Sequence, residues 1–243
     1  MITTKPATVS EMVRSDYRTA DVFKKWGINY CCGGNLPLEE VCQLQQLDKA
    51  AVEKDLKKAT QSIALSNNLR FDEWPVDFLV DYISYVHHAY LKETVPSLTQ
   101  NLHSFIQGHK KKFPDLEQVE EVFTDLKEEL MEHVEKEDST IFPYLKQISN
   151  TYKRKEIYGS LFVRTMSKPL TQVVESEHRR IAILLTQLRE VTNHYHFPNH
   201  ACTNHQVIYH KLREFDADLV QHKHLENNIL FPKAMAMEKE LLH

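Results

Sequence analysis

Apolar residues recur at three- and four-residue spacing along most of the chain, which is the mark of amphipathic helices. Period-two alternation is scarce and few glycines are present to close hairpins, so strands are not expected. Thr8 to Trp26 reads as one or two short helices opened by a Thr8–Glu11 capping box. Gly27 to Pro37 reads as a turn, and Leu38 to about Ser66 as helix again. Four long helices follow: about Pro75 to Gly108, Pro114 to Ser149, Lys168 to His194 and Asn204 to Glu240. Residues 150–165 connect the second to the third and carry room for one short helical turn, and 194–200 form the last loop. Short connections make neighbours antiparallel. The expected architecture is all-α: a small helical domain over 1–66, a linker over 67–74, and an up-down-up-down four-helix bundle over 75–243.

The second and fourth of these helices carry the same pattern. His133 and Glu137 are followed by Phe142-Pro143, and His222 and Glu226 by Phe231-Pro232, with identical spacing. A lone H-x-x-x-E is usually a solvated pair on a helix face; two copies with the same tail are harder to dismiss. The first and third helices each supply one more histidine, His88 at 45 residues before His133 and His178 at 44 before His222. At about 1.5 Å rise per residue, each histidine sits level with its partner across the hairpin. Four imidazoles and two carboxylates therefore converge on one layer of the bundle. Two bridging carboxylates and two imidazoles per ion would give each of two metals four protein ligands. That mixture suits iron or manganese, with zinc also open, and a free position on each ion leaves room for an oxo bridge, dioxygen or nitric oxide. His87 competes with His88 and His224 with His222; the apolar stripe Leu91, Val95, Leu98, Leu102 and the repeat spacing favour His88 and His222. His103, His109, His194, His196, His200, His205 and His210 are expected at the surface.

Composition narrows the remaining classes. A net charge of −4 argues against nucleic acid or an anionic membrane as the main partner, a local basic patch aside. No glycine-rich phosphate loop is present. The longest aliphatic run, Ile181 to Leu185, is too short to span a bilayer, and the first residues lack a signal-peptide core, so a cytoplasmic location is expected. Four cysteines do not suggest a disulfide framework. Two of them, Cys31 and Cys32, are adjacent on a Gly-rich turn; they would bind a soft ion or form mixed disulfides, or else pack as small apolar residues. Cys42 and Cys202 read as buried or incidental. Glu129, one turn before His133, and Glu177, beside His178, are candidates to orient an imidazole or relay protons, with a solvated helix face as the plain alternative.

With these motifs in place, the chain resembles the iron-sulfur cluster repair di-iron proteins, the repair of iron centres family, whose bundle is hemerythrin-like. Tyr30-Cys31-Cys32-Gly33-Gly34 with Leu38 and Cys42 resembles the short N-terminal domain of that family. His88 with Pro96, Glu175-Ser-Glu-His178 and the two His-x-x-x-Glu…Phe-Pro runs resemble its metal-binding bundle. The resemblance implies His88, His133, Glu137, His178, His222 and Glu226 as ligands of two non-haem irons, oxo- and carboxylate-bridged. It implies repair of iron-sulfur clusters damaged by nitric oxide or oxidants, through iron donation, nitric oxide reduction, or both. Damaged or apo iron-sulfur proteins would be partners, nitric oxide or dioxygen small ligands, and Cys31 and Cys32 a relay for electrons or iron. Oligomeric state stays open, a homodimer among the options. The alternative is a hemerythrin-like module that binds or senses oxygen or nitric oxide without catalysis. Oxygen-carrying hemerythrins usually have a second histidine where this chain has Ala182 and an aspartate where it has Asn227, which favours a more reactive or labile centre over oxygen carriage.

Overall fold

The computed structural model describes residues 6–31, 33–61, 69–111, 113, 116–164 and 170–242, the side chains of 170–177 apart. The described residues are helices joined by turns, with one isolated bridge between Thr8 and Pro37 and no strand. Among them no helix is long and apolar enough to cross a membrane. Contacts divide the chain into two units, Met1–Asn67 with Tyr195–Leu212, and Asn68–His194 with Arg213–His243.

The first unit contains α1 (Val9–Ser15), α2 (Thr19–Lys25), α3 (Leu38–Gln45) and α4 (Lys49–Thr60). The expected capping box is present: the Thr8 hydroxyl accepts from the Glu11 N–H, and the Glu11 carboxylate accepts from the Thr8 N–H. The single helix expected from Leu38 onward is broken. Gln46 turns left-handed at φ 55° and Asp48 restarts the chain by accepting from the Ala50 N–H. The expected end near Ser66 lies outside the described residues. Val9, Val13, Phe23, Val41, Val52 and Leu56 form the core, joined by Val207. Segment 195–212 belongs here through several further ties: the Ser10 and Thr203 hydroxyls meet at 3.0 Å, the Tyr30 hydroxyl donates to Asn204 at 3.1 Å, and Tyr17 stacks on His210. A reading along the chain places that segment with the bundle, because periodicity is blind to which neighbour a helix face meets.

The second unit is the bundle. Its first rod is α5 (Val76–Tyr82), a π turn (Ile83–His88) and α6 (Ala89–His109). The second is α7 (Leu116–Lys136), a π turn (Glu137–Ile141) and α8 (Phe142–Arg154). The short α9 (Gly159–Val163) lies in the connection, where one helical turn is expected. The third rod is α10 (Leu170–Val191), its expected start at Lys168 lying outside the described residues. It stops short of His194, because Asn193, His194 and Tyr195 all take positive φ. The fourth is α11 (Thr203–Leu225), whose residues from Arg213 belong to this unit, a π turn (Glu226–Leu230) and α12 (Phe231–Leu241).

Neighbouring rods are antiparallel. In the first hairpin α6 packs on α7 and α5 on α8. In the second, Arg189 forks onto Asp216 at 2.5 and 2.8 Å while His178 meets Asn227. Below the site layer, Val76, Leu79, Ile83, Ile141, Phe142, Leu145, Leu230 and Phe231 form one apolar cluster. Toward the other end, Leu91, Leu98, Leu126, Leu130, Ile181 and Leu184 are fully or nearly fully buried, and Phe123 meets Phe215 edge-on. The site is thus a polar slab between two apolar ones. Truncating Leu126, which is 0 % exposed, to Ala should cost about 2–5 kcal/mol in urea denaturation. Ile183→Ala on the exposed face of α10 should cost under about 1 kcal/mol.

Candidate metal centre

Three π turns sit where the bundle turns polar, and each is bounded by a chemistry-bearing residue. His88 ends the first, Glu137 begins the second and Glu226 begins the third. The cause of the latter two is written in the Phe-Pro tails. Pro143 and Pro232 lack the N–H that would bond the carbonyls of Ser139 and Asn228, so the α-helical ladder is interrupted and restarts with proline in its first turn. In the wider i→i+5 turn, Phe142 comes round beneath Glu137 and Phe231 beneath Glu226. An ideal α-helix would put them about 140° away.

His133 and Glu137, and likewise His222 and Glu226, are four apart and point to one face. All six side chains expected as ligands are buried, Glu137, His222 and Glu226 completely. They form two overlapping donor sets: His88, His222, Glu137 and Glu226; and His133, His178, Glu137 and Glu226. Within each set one donor atom per residue lies within 4.8 Å of all the others. Each set draws its imidazoles from different hairpins, and both glutamates belong to both sets. Glu137 Oε2 is 3.3 Å from His88 Nε2 and 3.3 Å from His133 Nε2. Glu226 turns one oxygen each way, Oε1 to His222 Nε2 at 2.5 Å and Oε2 to His178 Nε2 at 3.6 Å. The Nε2 atoms of His88 and His222 approach to 3.1 Å.

The far nitrogens of His88 and His178 are fixed by a second repeat that reading from the sequence overlooks. The residue after each glutamate reaches across its hairpin: Asp138 Oδ1 lies 2.8 Å from His88 Nδ1, and Asn227 Oδ1 lies 2.6 Å from His178 Nδ1. An oxygen there accepts the Nδ1 proton, which turns the Nε2 lone pair toward the site. The Phe-Pro phenylalanines cover the same two rings, Phe142 stacked on His88 at 5.1 Å and Phe231 tilted against His178 at 5.9 Å. The signal was available, since both glutamates are followed by a short side-chain oxygen in otherwise matching runs.

The residues fit a cationic occupant. All four oxygens of Glu137 and Glu226, and Nε2 of His178, are buried without a hydrogen-bond partner. Unpaired buried carboxylates are costly unless a cation faces them. In the metal-free protein, burial and then the neighbouring Glu226 charge raise the Glu137 carboxyl to about 7, and burial raises Glu226 to about 7. Burial, with His133 adding, lowers His178 to about 3, and burial lowers His222 to about 4. These two imidazoles are therefore neutral, as ligation requires.

The other expected site residues are placed as follows. Glu129 is half-exposed, 3.5 Å from Arg180, and its carboxylate is in neither donor set. The side chain of Glu177, and Cys32, lie outside the described residues. Cys31 is half-buried on its turn, its N–H donating to Asn29 Oδ1 at 3.0 Å; Cys42 is buried and Cys202 half-buried. Ala182 is exposed and brings no donor atom. His87 is buried rather than idle: its Nδ1 meets Asp218 at 2.9 Å and its ring stacks on His222 at 5.6 Å. His224 is exposed and meets Asn228. Of the histidines expected at the surface, His205 is in fact buried, against Tyr209 and Phe197 in the first unit. Its face of α11 serves that unit, not solvent.

Comparison with known proteins agrees with this geometry. Residues 82–234 match the hemerythrin HHE cation binding domain, and residues 5–60 match ScdA_N, described as a domain of unknown function. The iron-sulfur cluster repair protein YtfE of Escherichia coli O157:H7 is 31 % identical over 234 residues, 95 % of this chain and 97 % of that protein. YtfE of Escherichia fergusonii has the same identity and coverage. The iron-sulfur cluster repair protein ScdA of Staphylococcus haemolyticus is 26 % identical over 230 residues, 95 % of this chain and 98 % of its own.

A pH dependence follows. The glutamates' native pKa lies above the unfolded value of 4.5, so their contribution to stability is present below about pH 4.5 and is lost as pH rises through about 7. Glu137→Gln removes that loss. Metal-free Glu137→Gln should melt close to the unsubstituted protein at pH 5 and above it at pH 8. Melts by circular dichroism that show the variant less stable at pH 8 would contradict the assignment.

Proposed function

The chain belongs to the hemerythrin HHE cation binding family and, over nearly its whole length, to the family of the iron-sulfur cluster repair proteins, and from that premise we propose that it holds two irons at its buried His/Glu slab and uses them to restore damaged iron-sulfur clusters. The observation that carries this reading is the pair of donor sets sharing Glu137 and Glu226, whose four oxygens have no other partner. His88 and His222 would hold one ion, His133 and His178 the other, and the two glutamates would bridge. Iron there would supply ferrous–ferric redox and gas-binding chemistry.

The protein's own residues do the rest. Asp138 and Asn227 hold the imidazoles of His88 and His178 in the ligating orientation. Phe142 and Phe231 keep water from the covered side of the slab. Glu137 and Glu226 offset the charge of the cations in a low-dielectric layer. The two donor sets would offer four protein ligands to each of two ions, and iron held there would be able to take a small ligand such as nitric oxide. Carboxylate-rich, incompletely filled coordination also favours release, so iron donation to an apo or damaged cluster is the principal route in this reading. Ala182 brings no further imidazole, which speaks for this route over reversible oxygen carriage. We place the activity in the cytoplasm.

Repair can be measured on an iron-sulfur protein whose cluster has been damaged by nitric oxide. The 57Fe-loaded chain should restore the client's activity and leave 57Fe in the rebuilt cluster, while the Glu137→Gln/Glu226→Gln double variant should restore neither. Recovery with unlabelled client iron would refute donation, and equal recovery with the double variant would refute the role of this site.

A further inference from the structure

The slab is built from a repeat, yet the described charges around its two halves differ. On the side of His88 and His222, the oxygen that accepts the His88 Nδ1 proton belongs to a carboxylate, Asp138. A second carboxylate, Asp218, lies 2.9 Å from His87 Nδ1, and the His87 ring stacks nearly parallel on His222. The other Asp218 oxygen is buried without a hydrogen-bond partner. On this side the opposing cation is Lys92, 2.6 Å from Asp138 and close to half-exposed, where water screens it.

On the side of His133 and His178, the equivalent position is a neutral amide. Asn227 Oδ1 accepts the His178 Nδ1 proton at 2.6 Å, and Asn227 itself is exposed to solvent. Among the described side chains on this side, Lys223 is half-buried and donates to the His178 carbonyl at 2.6 Å. Beyond it, Arg180 and Glu129 form an exposed pair that offsets itself.

Charge beside a buried cation acts through a low effective dielectric, and a carboxylate on the far nitrogen of a ligating imidazole makes that imidazole a stronger donor. Among the described groups, both effects favour the His88/His222 half of the slab. Resting on the di-iron reading above, we infer that the two positions hold iron unequally: the His88/His222 position retains its ion, and the His133/His178 position yields its ion first. Asp138 and Asn227 are the positioning residues that set the difference. In a donor, this division lets one ion leave while the other keeps Glu137 and Glu226 charge-balanced and the bundle closed.

The test is release of Fe(II) from the full chain, loaded anaerobically with two equivalents, to an excess of a chromogenic ferrous chelator. Two phases of equal amplitude are expected. Asn227→Asp should slow the fast phase about tenfold or more and leave the slow one unchanged, whereas Asp138→Asn should speed the slow phase by a similar factor and leave the fast one unchanged. Both swaps are near-isosteric, and unchanged helical circular dichroism confirms that folding is not what moved. Loss of both ions in one phase, or a swap that moves the wrong phase or neither, overturns the inference while leaving the di-iron reading intact. Failure of the unsubstituted chain to take up iron would overturn both together.

Discussion

Two carboxylates buried at zero exposure, with no hydrogen bond to any of their four oxygens, are the constraint on which the bundle's middle depends. A buried, unpaired carboxylate costs several kcal/mol unless it takes up a proton or meets a cation. Burial raises the Glu137 and Glu226 carboxyls to about 7, toward their protonated forms. Burial holds His178 and His222 neutral, so these two imidazoles do not supply the missing charge. Cations between neutral imidazoles and anionic carboxylates satisfy every one of these groups at once.

The rest of the slab is arranged to hold these donor atoms in place. The π turns place a phenylalanine under each glutamate, and the same phenylalanines cap the two imidazoles that Asp138 and Asn227 orient. One local device, a proline that cannot donate, therefore aligns ligand, cover and orienting group in each half of the repeat. The apolar clusters on either side tolerate little change in volume, which holds the donor atoms in place.

The repeat made the six central residues legible before any coordinates, because a helix converts equal spacing into equal height. The shared Phe-Pro tails were legible as a pattern but not as a mechanism: the link from a missing N–H to a π turn needs the ladder itself. The orienting roles of Asp138 and Asn227 were signalled only by their matching places after the two glutamates, since the imidazoles they meet are 50 and 49 residues away in sequence. The break at Gln46 to Asp48 was available as a cap signal inside an otherwise helical stretch. The burial of His205 was not, since it depends on 195–212 belonging to the first unit. Glu129 illustrates the converse, a residue well placed along the helix whose carboxylate turns outward to Arg180.

The central claim is that the slab holds two ions at once, not one ion or none. Anaerobic titration of the metal-free chain with Fe(II), followed by removal of loose metal and iron analysis per chain, reads this directly. Two irons per chain with mutually coupled electronic signals are expected, as two ions sharing Glu137 and Glu226 require. Fewer than one iron per chain, or two irons that behave as isolated ions, would contradict it.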